Sequence, residues 1–241
     1  MARAPVDNGP RHSLVTGANR GLGFALVQQL LARGDRVVAT ARHPGKATQL
    51  NTLTGEFPGR LHVLPLDVAS EKSRVELARE LPLVLDGGHL DLVVNNAGVL
   101  HSGERWGKLQ DAILEDSLRV NAMGPLLLTQ ALAPLLADGG CVANISTQMA
   151  SLSTRTEFRS PSYAMSKAAQ NMATVQMAKA LAPRGIRVVA LNPGWVRTDM
   201  GGTDGELTPE ASATGLLQVI DGLRDADSGH FFDWRGQPMA W

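Results

Sequence analysis

Residues 12–23 read His12-Ser13-Leu14-Val15-Thr16-Gly17-Ala18-Asn19-Arg20-Gly21-Leu22-Gly23, and they run without a break into Phe24-Ala25-Leu26-Val27-Gln28-Gln29-Leu30-Leu31. A short apolar run closes on a glycine-rich turn and opens into an apolar-faced segment. This predicts a strand over His12–Thr16 and a helix over Phe24–Arg33, stopped by Gly34. Glycines at Gly17, Gly21 and Gly23 let the backbone turn tightly and come close to a pyrophosphate, and the helix N-terminus offers free N–H groups and a positive dipole end. A glycine-rich turn alone is a weak sign. Its placement after a first strand and before a helix is what a dinucleotide-binding turn requires.

Further strands are predicted at Arg36–Ala41, Leu61–Leu66, Leu90–Asn95, Cys141–Ile145, Arg187–Leu191 and His230–Asp233. Helical patterns fall over Gln110–Ala137, with a break at Gly124-Pro125, and over Pro161–Ala182, and another helix starts at Thr208-Pro209. Strands alternating with helices imply an α/β fold: a doubly wound, seven-stranded parallel sheet with helices on both faces. At 241 residues, with no shift in composition, residues 1–241 read as a single domain. Cofactor-type motifs concentrate in 12–100 and catalytic and substrate-loop motifs in 115–215. The glycine-rich stretch from Gly194 to Gly205 is expected to be a mobile loop.

Lysine plus arginine and aspartate plus glutamate number 23 each, so no global field would recruit nucleic acid or an anionic membrane. The single cysteine, Cys141, excludes an intramolecular disulfide framework and fits a reducing compartment. The opening residues Met1 to Pro10 hold no apolar signal-peptide core, and Pro125–Ala137 is too short to span a bilayer. These features point to a soluble, cytoplasmic protein. The six histidines are dispersed, without metal-ligand spacing, so no metal site is expected.

The only tyrosine, Tyr163, stands four residues before Lys167 in a helical stretch, Tyr163-Ala164-Met165-Ser166-Lys167. Residues four apart share a helix face, so the ammonium can approach the phenol and lower its pKa. A cation about 4 Å away contributes roughly 4 kcal/mol at an effective dielectric of 20, enough to bring a phenol from about 10 to about 7. An isolated pair of this kind is ordinarily a surface contact; the surrounding motifs decide otherwise.

Those motifs occur in a fixed order: Thr16–Gly23; Leu66-Asp67-Val68; Asn95-Asn96-Ala97-Gly98; Val120-Asn121-Ala122-Met123-Gly124; Asn144-Ile145-Ser146; Tyr163–Lys167; and Asn192–Met200. Together they make the chain resemble the short-chain dehydrogenase/reductase family over nearly its whole length, in particular its carbonyl-reductase-like and C-signal-like branch. The resemblance implies an NADP(H)-dependent oxidoreductase that moves hydride between cofactor and a small-molecule carbonyl or alcohol, with Tyr163 as acid/base and Lys167 also holding the nicotinamide ribose. It further implies a glycine turn of Gly17, Asn19, Arg20, Gly21, Leu22 and Gly23 for the cofactor, Asp67 and Val68 at adenine, and Asn95, Ala97 and Gly98 along the ribose. Pro193, Val196 and Thr198 would embrace the nicotinamide and pyrophosphate. The family's assemblies include homodimers and homotetramers, although some members of this branch are monomeric.

Cofactor choice has its own argument. NAD selection wants a carboxylate at the end of the second strand, whereas a 2′-phosphate wants a cation. Ala41-Arg42 stands there, with Arg20 as a second guanidinium suited to phosphate. The active-site hydroxyl is assigned to Thr147, with Ser146 as the alternative. The separation of Thr147 from Tyr163 implies a small insertion over Ser153–Pro161. Pro125 lacks the N–H that would bond the Asn121 carbonyl, leaving an acceptor that, by resemblance, holds a water leading from Lys167 to solvent. Two other readings stay open: a non-catalytic dinucleotide-binding regulator, and a same-fold epimerase or lyase.

Overall fold

The computed structural model describes residues 10–241; residues 1–9, part of the stretch read above as lacking a signal-peptide core, lie outside the described residues. The strands are β1 (His12–Val15), β2 (Arg36–Ala41), β3 (Leu61–Pro65), β4 (Leu90–Asn95), β5 (Leu136–Ile145), β6 (Arg187–Asn192) and β7 (Phe231–Asp233). They form one sheet in the order β3-β2-β1-β4-β5-β6-β7, with every strand pairing parallel. The helices are α1 (Gly21–Ala32), α2 (Thr48–Glu56), α3 (Glu71–Leu85), α4 (Asp111–Leu118), α5 (Gly124–Leu132), α6 (Pro161–Leu181) and α7 (Pro209–Gly222).

Strand alternation explains how one sheet carries two cores. On one face Val15, Ala39, Val94, Ala143 and Val189 pack with α1, α2 and α7. On the other Leu14, Val38, Val93, Val142 and Val188 pack with α3, α5 and α6. Neighbouring residues of each strand serve opposite cores, so the central strands read as unbroken apolar runs. Strand order reverses between β1 and β4, and this opens a crevice beyond their C-terminal ends, where doubly wound sheets bind ligands.

Three element boundaries differ from the sequence reading by more than one residue. α1 begins at Gly21 rather than Phe24, because the glycine turn itself supplies its first turn. The helix expected to run to Ala137 ends at Leu132. The chain passes through a 3-10 turn containing Pro134 and enters β5 at Leu136. Proline removes a helical N–H there, and Arg184 donates to the carbonyls of Ala133 and Leu136 where the helix gives way to the strand. The break at Gly124-Pro125 is preceded by a π-helical turn over Arg119–Met123. Helices α2 and α3 had no counterpart in the reading; each buries only a few residues, Leu50 and Leu53 in α2 and Arg74, Leu77, Leu81 and Leu85 in α3. Among the described residues no helix is long and apolar enough to cross a membrane.

Candidate active site

The glycine turn is stitched to the loop after β4. Thr16 Oγ1 accepts from the backbone N–H groups of Asn96 and Ala97, both at 3.0 Å, while Asn96 Nδ2 donates to the carbonyls of Thr16 (2.9 Å) and Gly17 (3.1 Å). Gly17 has φ +62°, and a Cβ there would stand 2.9 Å from Ala97 Cα. No side chain other than glycine fits that contact or favours that backbone. Leu22 and Gly23 are buried beneath the turn, and Asn19 and Arg20 face outward. Arg20, the N-cap of α1, offers no side-chain cap, so the first N–H groups of that helix are free of side-chain partners.

The two cations expected at a 2′-phosphate differ in their surroundings. Arg42 is exposed just after β2. Arg20 instead donates to Asp199 Oδ2 at 2.5 Å, across the crevice. Asp67, also exposed, turns its Oδ1 to the Ala69 N–H at 3.0 Å. Val68 is buried, and a Cβ on Gly124 would come within 3.1 Å of it.

The side chain of Asn95 does not line the crevice. It is buried, donating to Asn144 Oδ1 at 2.8 Å and Thr129 Oγ1 at 3.2 Å, because strand alternation turns it between β4 and β5. Ala97 and Gly98, expected beside it along the ribose, are half-buried. Asn121 is fully buried. Its Oδ1 accepts from Val99 N–H at 2.8 Å, and its Nδ2 donates to the Val99 carbonyl at 2.8 Å and to Ser166 Oγ at 2.9 Å. Ser166 Oγ in turn donates to the Tyr163 carbonyl at 2.8 Å. The π turn thereby holds the loop after β4 and the start of α6 together. A Cβ on Gly98 would meet Asn121 Oδ1 at 3.1 Å and lie 3.7 Å from Lys167 Nζ.

Tyr163 is 8% exposed, and among the described residues its hydroxyl has no hydrogen-bond partner. Burial pushes its pKa up to about 12. Lys167 is 3% exposed, and burial pushes it down to about 7. The expected lowering of the phenol by the ammonium is not found. Lys167 Nζ lies 6.0 Å from the Tyr163 ring centre and donates elsewhere, to the Ile145 carbonyl at 2.6 Å and Gln170 Oε1 at 2.9 Å. Shared helix face brings the two residues together, but the shift of each is set by its own burial, which disfavours the charged form of both.

The two hydroxyls after β5 point differently. Ser146 is buried and donates to Asn171 Oδ1 on α6 at 2.6 Å. Thr147 is half-buried, and its Oγ1 accepts from Met149 N–H at 3.2 Å, which leaves its own O–H proton to give. Between this turn and α6 lies the 151–160 loop, where the sequence implied an insertion. Its last residue, Ser160, caps α6 at φ +45°, a left-handed conformation costly for serine. Phe158 meets Trp106 edge to face with ring centres 5.8 Å apart, and Glu104 Oε2 accepts from Ser162 Oγ at 2.8 Å. These two contacts join the loop before α4 to the entrance of α6.

The 194–205 segment, expected to be mobile, is internally bonded. Val196 pairs with Leu207 and Thr198 with Gly202 in isolated bridges, and Trp195 Nε1 donates to the Gly201 carbonyl at 2.7 Å. Pro193 is anchored by Ser212 Oγ, which donates to its carbonyl at 2.7 Å. A Cβ on Gly21 would come within 3.1 Å of Thr198 Cγ2, so this segment rests on the glycine turn. Sequence reading missed Thr16, Asn96, Ser166, Gln170 and Asn171. The signal available for the last three was their position on the face of Tyr163 and Lys167.

A doubly wound sheet whose switch-point crevice collects a glycine turn, a tyrosine and a lysine on one buried helix face, and a strand-end hydroxyl defines a dinucleotide-fold oxidoreductase. The chain belongs to the short-chain dehydrogenase family, whose model matches residues 11–207. It is 45% identical to the C-signal protein of Myxococcus xanthus over 159 residues, 64% of this chain and 94% of that one. With the 1-hydroxy-2-glutathionyl-2-methyl-3-butene dehydrogenase of Rhodococcus sp. strain AD45 it shares 34% identity over 95% of this chain and 98% of that one. The solved NADPH-bound carbonyl reductase from chicken fatty liver superposes with a TM-score of 0.92 at 36% identity, covering 97% of this chain and 100% of that one.

Proposed function

We propose that the protein is an NADPH-dependent reductase of aldehydes or ketones, with Tyr163 as the acid. The observation that carries this reading is a buried phenol beside Lys167, with Lys167 bonded to the Ile145 carbonyl at the end of β5 and the half-buried Thr147 two residues further along the chain. A pKa of about 12 means that Tyr163 holds its proton at neutral pH, as the acid of a reduction must. Thr147 donates its free O–H to the substrate oxygen and places it against the phenol. Charge on Lys167 favours the phenolate left behind. Asn121 fixes the Val99 loop and Ser166, so that Gly98, Lys167 and Tyr163 keep their relative positions.

The chain fits NADP(H). Gly17 and Gly23 leave room only for backbone, the first N–H groups of α1 have no side-chain partner, and Arg42 stands exposed where a 2′-phosphate would be recognised. When bound, the nicotinamide supplies the hydride. Gly17, Gly21, Ala97, Gly98 and Thr198 would line its site, with Asp67 and Val68 at the adenine end. The carbonyl reductase that superposes on this chain carries NADPH, which supports the same choice.

The test is a screen of NADPH and NADH oxidation against aldehydes, aromatic ketones, quinones and 1,2-dicarbonyls. The expected result is turnover of at least one class with NADPH preferred. NADPH binding without turnover of any class would overturn the catalytic reading, and a preference for NADH would overturn the cofactor assignment.

A further inference from the structure

Gln170 is fully buried in the middle of α6, one turn beyond Lys167. Its Oε1 accepts from Lys167 Nζ at 2.9 Å, and this is the side chain's one hydrogen bond among the described residues, for its enclosed Nε2 has no protein partner. A glutamine kept for packing would be better replaced by leucine, since an enclosed amide with an unpaired donor is destabilising. The arrangement has a purpose only through the lysine. Together the Gln170 oxygen and the Ile145 carbonyl, 2.6 Å from Nζ, form a two-acceptor dock for an ammonium.

We infer that Gln170 is a positioning residue for Lys167: its side-chain oxygen holds the ammonium in a defined place at the end of β5 and sustains its charge inside the protein. The neighbours of Lys167 leave this task to neutral acceptors. β5 presents the Ile145 carbonyl, the loop after β4 presents Gly98, which Asn121 of the π turn adjoins, and α6 itself presents Tyr163 and Gln170. Tyr163 is the titratable group beside it, and no carboxylate contributes to its shift, which comes from burial. With no counter-charge, each accepting oxygen carries a large share of the stabilisation of the charged form.

The inference deepens the catalytic reading, which gives Lys167 its use, and it is testable without turnover. Lysine Cε-labelled full-length protein, with the Lys167 signal identified by its loss in Lys167→Ala, is titrated by NMR. Gln170→Leu removes one hydrogen bond to the ammonium and is expected to lower the Lys167 midpoint by about one to two pH units, the size of one charge-assisted bond. Gln170→Glu keeps the acceptor and adds a negative charge, so its midpoint is expected above that of the wild type. In a reductase assay the fall of kcat at rising pH moves the same way in each variant. Midpoints unchanged in both variants would overturn the inference, and if Gln170→Leu fails to fold, an unchanged midpoint in Gln170→Glu suffices. A protein that turns over no carbonyl would leave the titration result standing and defeat only the catalytic reading.

Discussion

Helices α1 and α6 both lie against the sheet, yet they bury opposite kinds of surface. α1 turns Leu22, Ala25, Leu26, Val27, Leu30 and Leu31 inward, and each buried leucine or valine stabilises the fold by roughly 1.5–3 kcal/mol. Over its first four turns α6 buries Ser162, Tyr163, Ser166, Lys167, Gln170, Asn171 and Thr174, and leaves Met165 and Met172 exposed. Its polarity is reversed relative to an ordinary surface helix. Burial of that polar face works against stability unless each group is paired, and three of the atoms enclosed there or nearby, Gln170 Nε2, Asn171 Nδ2 and Asn95 Oδ1, have no protein partner. α1 is built to hold the molecule together; α6 is built to hold reactive groups in a dry place, and its last turns, with Met177 and Ala178, return to ordinary packing.

The contrast is broken most sharply at Tyr163. Tyr163→Phe is expected to cut carbonyl reduction by at least about a hundredfold, the scale of acid catalysis, with NADPH binding and the thermal transition nearly unchanged. Near wild-type turnover would remove the phenol from the mechanism. On α1 the expected pattern is reversed: Leu26→Ala should lower unfolding free energy by about 2–5 kcal/mol in urea titrations while leaving kcat of the folded fraction intact.

A third measurement uses pH. The folded pKa of Lys167 is about 7, below its ordinary value of 10.5, so the unfolded chain binds more protons between those values. Its contribution therefore makes stability rise with pH from about 7 toward 10.5, and the cost of burying the charge is felt in full below that window. Lys167→Met should flatten this part of a urea-midpoint profile; an identical slope in wild type and variant would show that the lysine is not desolvated. For cofactor choice, Arg42→Ala should weaken NADPH about ten- to a hundredfold and barely alter NADH. Arg20→Ala should do less, because Arg20 already serves Asp199. Equal losses for both cofactors in isothermal titrations would count against a 2′-phosphate contact at Arg42. Last, Thr147→Val should reduce kcat more than Ser146→Ala, since only Thr147 has a hydroxyl proton uncommitted to the protein; the reverse ranking would move the role to Ser146.

The same contrast explains what the sequence made legible. The seven strands and the leucines of α1 are visible because apolar spacing follows burial. α6 was legible as a helix over Pro161–Ala182, but its buried face is polar and apolar spacing did not reveal it; motif order found Tyr163 and Lys167, and spacing placed them on one face. Spacing is silent on where a four-carbon chain ends, so the docking of Lys167 on Ile145 and Gln170 was out of reach. Strand alternation, applied at Asn95, would have turned its side chain inward. The weak periodicity of α2 and α3 arises because each buries so little.

The hydrogen bonds around Thr16 have a practical meaning for anyone who re-engineers this protein. Residues 16–23 and 95–98 are separated by about eighty positions in the chain, yet Thr16 and Asn96 each bond into the other segment, and Ala97 leaves no room for a Cβ on Gly17. The two segments behave as one component. A glycine turn transplanted from a relative without its matching second segment would arrive with half of its fasteners missing, so graft boundaries belong outside both, never between them.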